Sequence, residues 1–399
     1  MKPAAWLGKG VLVCVGTGGV GKTTVSAAIA LEGARRGLRT LVLTIDPARR
    51  LADAMGAGAL GAEPQRIPPA RLRAAGVEGP GTLDAMMLDT KRTFDRLVER
   101  YSPDEETLER IYANPIYQHL TDALAGTREY SAMEELHRIH VSGDYDLVVV
   151  DTPPARYALD FLDAPRRLTG LLDSQLLRVL FRPAVAMGRT GFRLFRLGSA
   201  TVLRTIERVS GLEFLRTTSE FLLAFEGMLE GFRARAVETG ELLRSSACGF
   251  ILVAGPDPLQ ARLAASFSER LEQEGIELLG LVANRVHTWP GSGAAPSLSA
   301  SDLVQERESL ARRLAEPDPP FDSEQVAAVL VGVASRQARL AGQDAETLRC
   351  LAHELRIDLK RVRTIPLLDE DVHALEALAE LGSYIFDEPM SERMHGRTA

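Results

Sequence analysis

The sequence is short of sulfur chemistry. Three cysteines occur in 399 residues, Cys14, Cys248 and Cys350, far apart and with no C-x-x-C pair. That spacing excludes a disulfide framework and a thiolate zinc site, and it offers no closely spaced soft ligands for arsenite. Cys14 and Cys248 sit in or beside apolar strand-like runs, where a buried free thiol is the ordinary reading. No uncharged apolar run reaches about 18 residues, so no membrane-spanning helix is expected. Basic charge is also in deficit: 47 Lys and Arg stand against 54 Asp and Glu, a net charge of −7. Bulk electrostatics therefore give a nucleic-acid partner no support, and none is expected. Nothing before the first apolar run resembles a leader peptide, which together with the cysteine usage predicts a reduced, cytoplasmic protein.

What is present is an ordinary globular balance, 45% hydrophobic and 25% charged, able to bury a sizeable core. Short apolar runs alternate with helical patterns, as expected for an α/β fold with a mostly parallel sheet flanked by helices. Strands are predicted at 11–15, 40–45, 83–88, 146–150, 249–254, 278–283 and 362–366, with a Pro/Gly/Ala-rich loop over 56–82. Gly37 is placed to stop the first helix. Two long intervals, 90–140 and 165–245, hold no good strand and read as helical inserts. A third helical stretch follows the loop at 288–300 and continues to about 357.

The densest signal is Gly16–Thr24, which reads G-T-G-G-V-G-K-T-T. It follows the apolar run Val11–Val15 and opens a helix at Lys22, the strand–loop–helix setting of a phosphate-binding loop. Gly16, Gly18, Gly19 and Gly21 let the backbone bend so that N–H groups, from Thr17 and Val20 among others, converge on phosphate oxygens. The helix beginning at Lys22, Thr23 and Thr24 adds its positive end. Lys22 is expected to reach the β- and γ-phosphates, and the Thr23 hydroxyl to bind Mg²⁺. Two carboxylates follow predicted strands directly, where an open parallel sheet places its ligand. Asp46 begins D-P-A-R-R-L-A-D, ending at Asp53, and Asp151 begins D-T-P-P-A-R-Y-A-L-D-F-L.

These three motifs, in this order, resemble the arsenite-transporting (ArsA) ATPase family, whose relatives include the guided-entry ATPases that chaperone tail-anchored membrane proteins. Ala283-Asn284-Arg285-Val286 and the run Pro366–Val372 extend the resemblance to about residue 382. It implies one P-loop ATPase domain over 1–399 with the two helical inserts and a flexible tail at 387–399. It implies ATP and Mg²⁺ as ligands and a dimer that closes around ATP. Asp46 would orient or deprotonate the attacking water and also belong to the metal site, where Asp151 would hold the Mg²⁺ shell with Thr23. Asn284 would read the adenine edge, and the loop at Pro366 and Leu367 would wall the base.

The chain departs from that family at Thr17, where members usually carry a lysine that crosses the dimer to the partner's phosphates. Either Arg49 or Arg50 substitutes in a homodimer, or the chain pairs with a lysine-bearing paralogue, or hydrolysis is slow and nothing compensates. The segment Ser174–Arg204 is a second distinctive feature. It carries Arg178, Arg182, Arg189, Arg193, Arg196 and Arg204 among Phe181, Phe192, Phe195 and several leucines, with no acidic residue. By resemblance it would bind a hydrophobic client helix, or lie peripherally on an anionic membrane. The plain alternative is a helical core with a solvated arginine face. His137 and His140, three apart on a predicted helix, read as packing or surface residues. Other readings remain: the energising subunit of an anion or metalloid efflux system, and a spatial-organiser ATPase. The latter shares the P-loop but leaves the D-P-A motif and the inserts unexplained.

Overall fold

The computed structural model describes residues 3–46, 50–114, 117, 127–153, 228–289, 300–315, 321–368 and 370–387. Arg49, the segment 174–204 and the tail beyond Asp387 lie outside the described residues.

All seven predicted strands form: β1 (Val11–Gly16), β2 (Arg39–Thr44), β4 (Thr82–Met87), β5 (Leu147–Asp151), β6 (Cys248–Ala254), β7 (Leu278–Val286) and β8 (Val362–Pro366). An eighth, β3 (Gln65–Arg66), lies in the stretch expected to be loop. It pairs antiparallel with β4 at the sheet edge. Two residues are too few to show a period, so only the tertiary pairing makes this segment a strand. A short helix, Pro69–Ala74, forms in the same stretch, begun by a proline at its first position. The sheet order is β3-β4-β2-β5-β1-β6-β7-β8, and every pair except β3·β4 is parallel. β1 is thus central, and the loop that follows it opens at the carboxyl edge of the sheet.

Alternation along each strand divides the core in two. Val11, Val13 and Val15 join Leu41, Leu43, Val148 and Val150 on one face. Leu12 and Cys14 join Val42, Leu147 and Val149 on the other. The second face is covered by helix α1 (Lys22–Arg35), which packs against the C-terminal helix Leu375–Phe386. α1 ends as predicted: Gly37, at φ 89°, donates to Ala34 O while Leu38 donates to Gly33 O, a Schellman closure.

The first face is covered by helices at Thr90–Tyr101, Thr127–Ser142 and Leu229–Arg244, among others. Phe94, Met133, Leu136 and Phe232 from these helices belong to the same apolar cluster as the strands. The described helices within 90–140 and 165–245 therefore share the core of the sheet. A buried ion pair joins them, Arg235 Nε standing 2.9 Å from both carboxylate oxygens of Glu134. His137 is buried in the same neighbourhood, 3.8 Å from Glu238.

Candidate functional site

The strand–loop–helix turn is built as its glycines require. Gly19 and Gly21 take φ values of 78° and 87°, and Gly21 is the N-cap of α1. A side chain at Gly21 would also overlap the Asn284 amide. Gly18 and Gly19 form the exposed tip of the loop, while Val20 is buried against the second cluster. Lys22 folds back so that Nζ donates to Thr17 O at 2.9 Å. Burial lowers its pKa, opposed by the charges of Asp151 and Asp46 and reinforced by Arg50. Thr17 itself is buried, its hydroxyl without a hydrogen-bond partner.

Asp151 lies at the floor of the site, fully buried at the end of β5. Its Oδ2 accepts from Thr23 Oγ1 at 2.8 Å and from Thr44 Oγ1 at 2.9 Å. Its Oδ1 has no hydrogen-bond partner. Burial pushes the carboxyl up to about 6, against the two hydroxyls and Lys22, which favour ionisation. A buried carboxylate with an unclaimed oxygen beside a threonine hydroxyl suits a hard, oxygen-seeking cation. The residues present thus fit Mg²⁺. Among the described residues no three His, Cys, Asp or Glu side chains cluster as metal ligands. Mg²⁺ needs none, because it retains waters and phosphate oxygens.

Above this floor opens a cavity of about 350 Å³ whose walls include Gly19, Gly21, Lys22, Thr23, Thr24 and Asp46. Asp46 is mostly buried and lies 3.5 Å from the largely exposed guanidinium of Arg50. The cavity thus stands at a helix N-terminus, with the Lys22 ammonium, the Thr23 hydroxyl and the carboxylates of Asp46, Asp53 and Asp371 along it and Asp151 behind Thr23.

The residues expected at the base of a nucleotide lie outside this lining. Asn284 lies behind the loop, its Nδ2 donating to Val20 O at 2.8 Å and its Oδ1 accepting from Arg285 N at 3.0 Å. Pro366 ends β8, and Leu367 N donates to Val286 O at 3.0 Å. None of the three lines the cavity. Its lining includes instead Asp53, Asp371, Val372, His373 and Arg285. Arg285 takes φ 62° and its Nη1 donates to Gly19 O at 3.2 Å. Sequence reasoning named no role for these residues, although Arg285 adjoins Asn284 and His373 follows the Pro366–Val372 run. Thr44 was also passed over, being hidden inside an apolar strand pattern.

The two strand cysteines take no part: Cys14 and Cys248 are buried, and burial pushes each thiol up to about 12.

Comparison with known proteins places the chain. A family model described as anion-transporting ATPase matches residues 9–212. An uncharacterized protein of Streptomyces coelicolor is 30% identical over 302 residues, covering 75% of this chain and 67% of its own length. The ATPase GET3 of Malassezia globosa is 32% identical over 154 residues, 39% of this chain and 42% of its own length. A Halobacterium salinarum protein named as an arsenical pump-driving ATPase is 32% identical over 165 residues, 41% of this chain and 24% of its own length. The chain thus matches less than half the length of the last two. A match that opens just before β1 and runs past both Asp46 and Asp151 to residue 212 extends far beyond one glycine-rich turn, and the chain belongs to the anion-transporting ATPase family.

Proposed function

We propose that the cavity binds MgATP and that the protein hydrolyses it. The observation that carries this reading is Asp151: a buried carboxylate, bonded to Thr23 Oγ1 at 2.8 Å, with its second oxygen unclaimed, next to a cavity that Lys22 and Thr23 line. Lys22 exchanges its bond to Thr17 O for phosphate oxygens, a better partner for a partly desolvated ammonium. The backbone N–H groups of the loop and the start of α1 take the remaining phosphate charge. Thr23 and, through water, Asp151 would hold Mg²⁺, which when bound neutralises charge across the β- and γ-phosphates. Asp46, at the cavity wall, orients the attacking water and accepts its proton. The Arg50 guanidinium stands 3.5 Å from its carboxylate.

Asp46→Asn and Lys22→Ala separate these roles. Asp46→Asn is expected to bind MgATP within about threefold of the parent and to lower turnover by about 100-fold or more. Lys22→Ala is expected to weaken binding itself. A fluorescent ATP analogue and phosphate release report the two quantities. Turnover at the parental rate in Asp46→Asn removes Asp46 from the chemistry.

The wider reading is a nucleotide-gated dimer that handles a hydrophobic or membrane-associated client. Its support is the apolar, arginine-rich composition of 174–204 and the likeness to the ATPase GET3 over 39% of the chain. Thr17 supports a partner that carries the missing lysine. The family's anion-transporting description supports a second reading, an energising subunit for efflux. Against metalloid as its cargo stand the buried thiols of Cys14 and Cys248. Turnover stimulated by an oxyanion or by arsenite, with no response to an apolar helix, would decide for efflux.

A further inference from the structure

Thr44 is the last residue of β2, and its register partner on β5 is Asp151. Register partners on adjacent strands point to the same face of a sheet, with strands roughly 4.8 Å apart. Thr44 is 2% exposed and Asp151 1%. A hydroxyl buried at the end of an apolar strand needs partners, and this one has two. Thr44 Oγ1 stands 2.9 Å from Asp151 Oδ2 and 3.3 Å from Asp46 N. A backbone N–H can only donate and an ionised carboxylate can only accept, so both bonds have one direction. The Asp46 amide donates to the Thr44 oxygen, and the Thr44 proton goes to Asp151. A single hydroxyl thus joins the two acidic residues assigned to metal and water.

We propose that Thr44 is a positioning residue for the reaction. It fixes the orientation of the Asp151 carboxylate and ties it to the backbone at Asp46. The group holding the Mg²⁺ shell and the group addressing water are thereby set relative to each other. The proposal rests on the MgATP reading of the cavity. Thr44 and Thr23 both claim Oδ2, which keeps Oδ1 as the oxygen offered to the cation shell. With Thr44 removed, Asp151 retains the bond from Thr23 alone. Its carboxylate is then held at one point and rotates between its two oxygens.

Thr44→Val exchanges the hydroxyl for a methyl group of nearly equal size, and Thr44→Ser keeps the hydroxyl while losing the methyl. The experiment titrates a fluorescent ATP analogue with Mg²⁺ and again with EDTA, measures turnover, and checks folding by thermal unfolding. In EDTA, Thr44→Val is expected to bind within about twofold of the parent. Its affinity increase on adding Mg²⁺ falls by about 10-fold or more, the usual cost of removing a group that orients a metal ligand, and its turnover falls with it. Thr44→Ser recovers the Mg²⁺ response to within about threefold. If Thr44→Val is insoluble, Thr44→Ala repeats the test.

A parental Mg²⁺ response in Thr44→Val overturns the proposal. So does Thr44→Ser behaving as badly as Thr44→Val, since methyl packing rather than the hydroxyl would then matter. A parent that binds nucleotide no better with Mg²⁺ than with EDTA defeats the MgATP reading itself, and the proposal with it. That failure is visible before any variant is made.

Discussion

Gly21 leaves the phosphate-binding loop little room to change. Gly21→Ala imposes two costs. Its φ of 87° is in the left-handed region, worth about 1–2 kcal/mol against an L-residue. The new Cβ also overlaps the Asn284 amide and displaces the 2.8 Å bond from Asn284 to Val20 O. A lost hydrogen bond of this kind adds about 0.5–1.5 kcal/mol. The sum is about 1.5–3.5 kcal/mol, or about 10- to 400-fold in an equilibrium constant. Where the free loop relaxes, the cost falls on nucleotide affinity; where it does not, it falls on stability. Fluorescent-nucleotide titration and urea unfolding together must therefore account for it. The companion variant Asn284→Ala clears the space, so in that background Gly21→Ala should cost only the backbone part, about 1–2 kcal/mol. A combined cost below about 0.5 kcal/mol, or equal costs in the two backgrounds, refutes the reasoning.

Thr17→Lys restores a cation at the loop's second position. It is expected to raise turnover by at least about 10-fold and to favour a dimer with MgATP in light scattering. A parent already dimeric and active, with no gain from the lysine, rejects the lysine-bearing partner. His137 supplies a pH test. Burial first, and the nearby Arg235 second, lower its pKa to about 4. The unfolded chain protonates near pH 6.5 and the folded one only near pH 4, so stability is lost as pH falls through that window. His137→Gln should remove on the order of 2 kcal/mol of that loss by pH 4.5, and identical unfolding profiles for parent and variant would contradict it. Phe192→Asp with Phe195→Asp is expected to abolish association with an apolar helix peptide or anionic vesicles. Unchanged association in both nucleotide states removes 174–204 as the client surface.

The strands were legible because each is an apolar run bounded by turn residues, and the seven expected all form within about three residues of their predicted ends. The helix end at Gly37 was equally plain, since a single glycine supplies the positive φ that closes it. β3 was not legible, because two residues carry no period and its edge pairing to β4 is decided by the fold.

Local chemistry by itself determined the loop at Gly16–Thr24 and the two carboxylates that follow strands. Phosphate binding by backbone needs glycines and a helix start in adjacent positions, and adjacency is what a sequence records. Which carboxylate sits at the floor, which side chain holds it and what walls the cavity were decided by tertiary structure alone. Thr44 reaches Asp151 across 107 residues of chain only because β2 and β5 are register partners. Asn284 grips Val20 O across 264 residues because β7 ends beside the loop. Register in a parallel sheet is set by the burial of both faces at once, a property of the whole core that no short stretch of sequence contains.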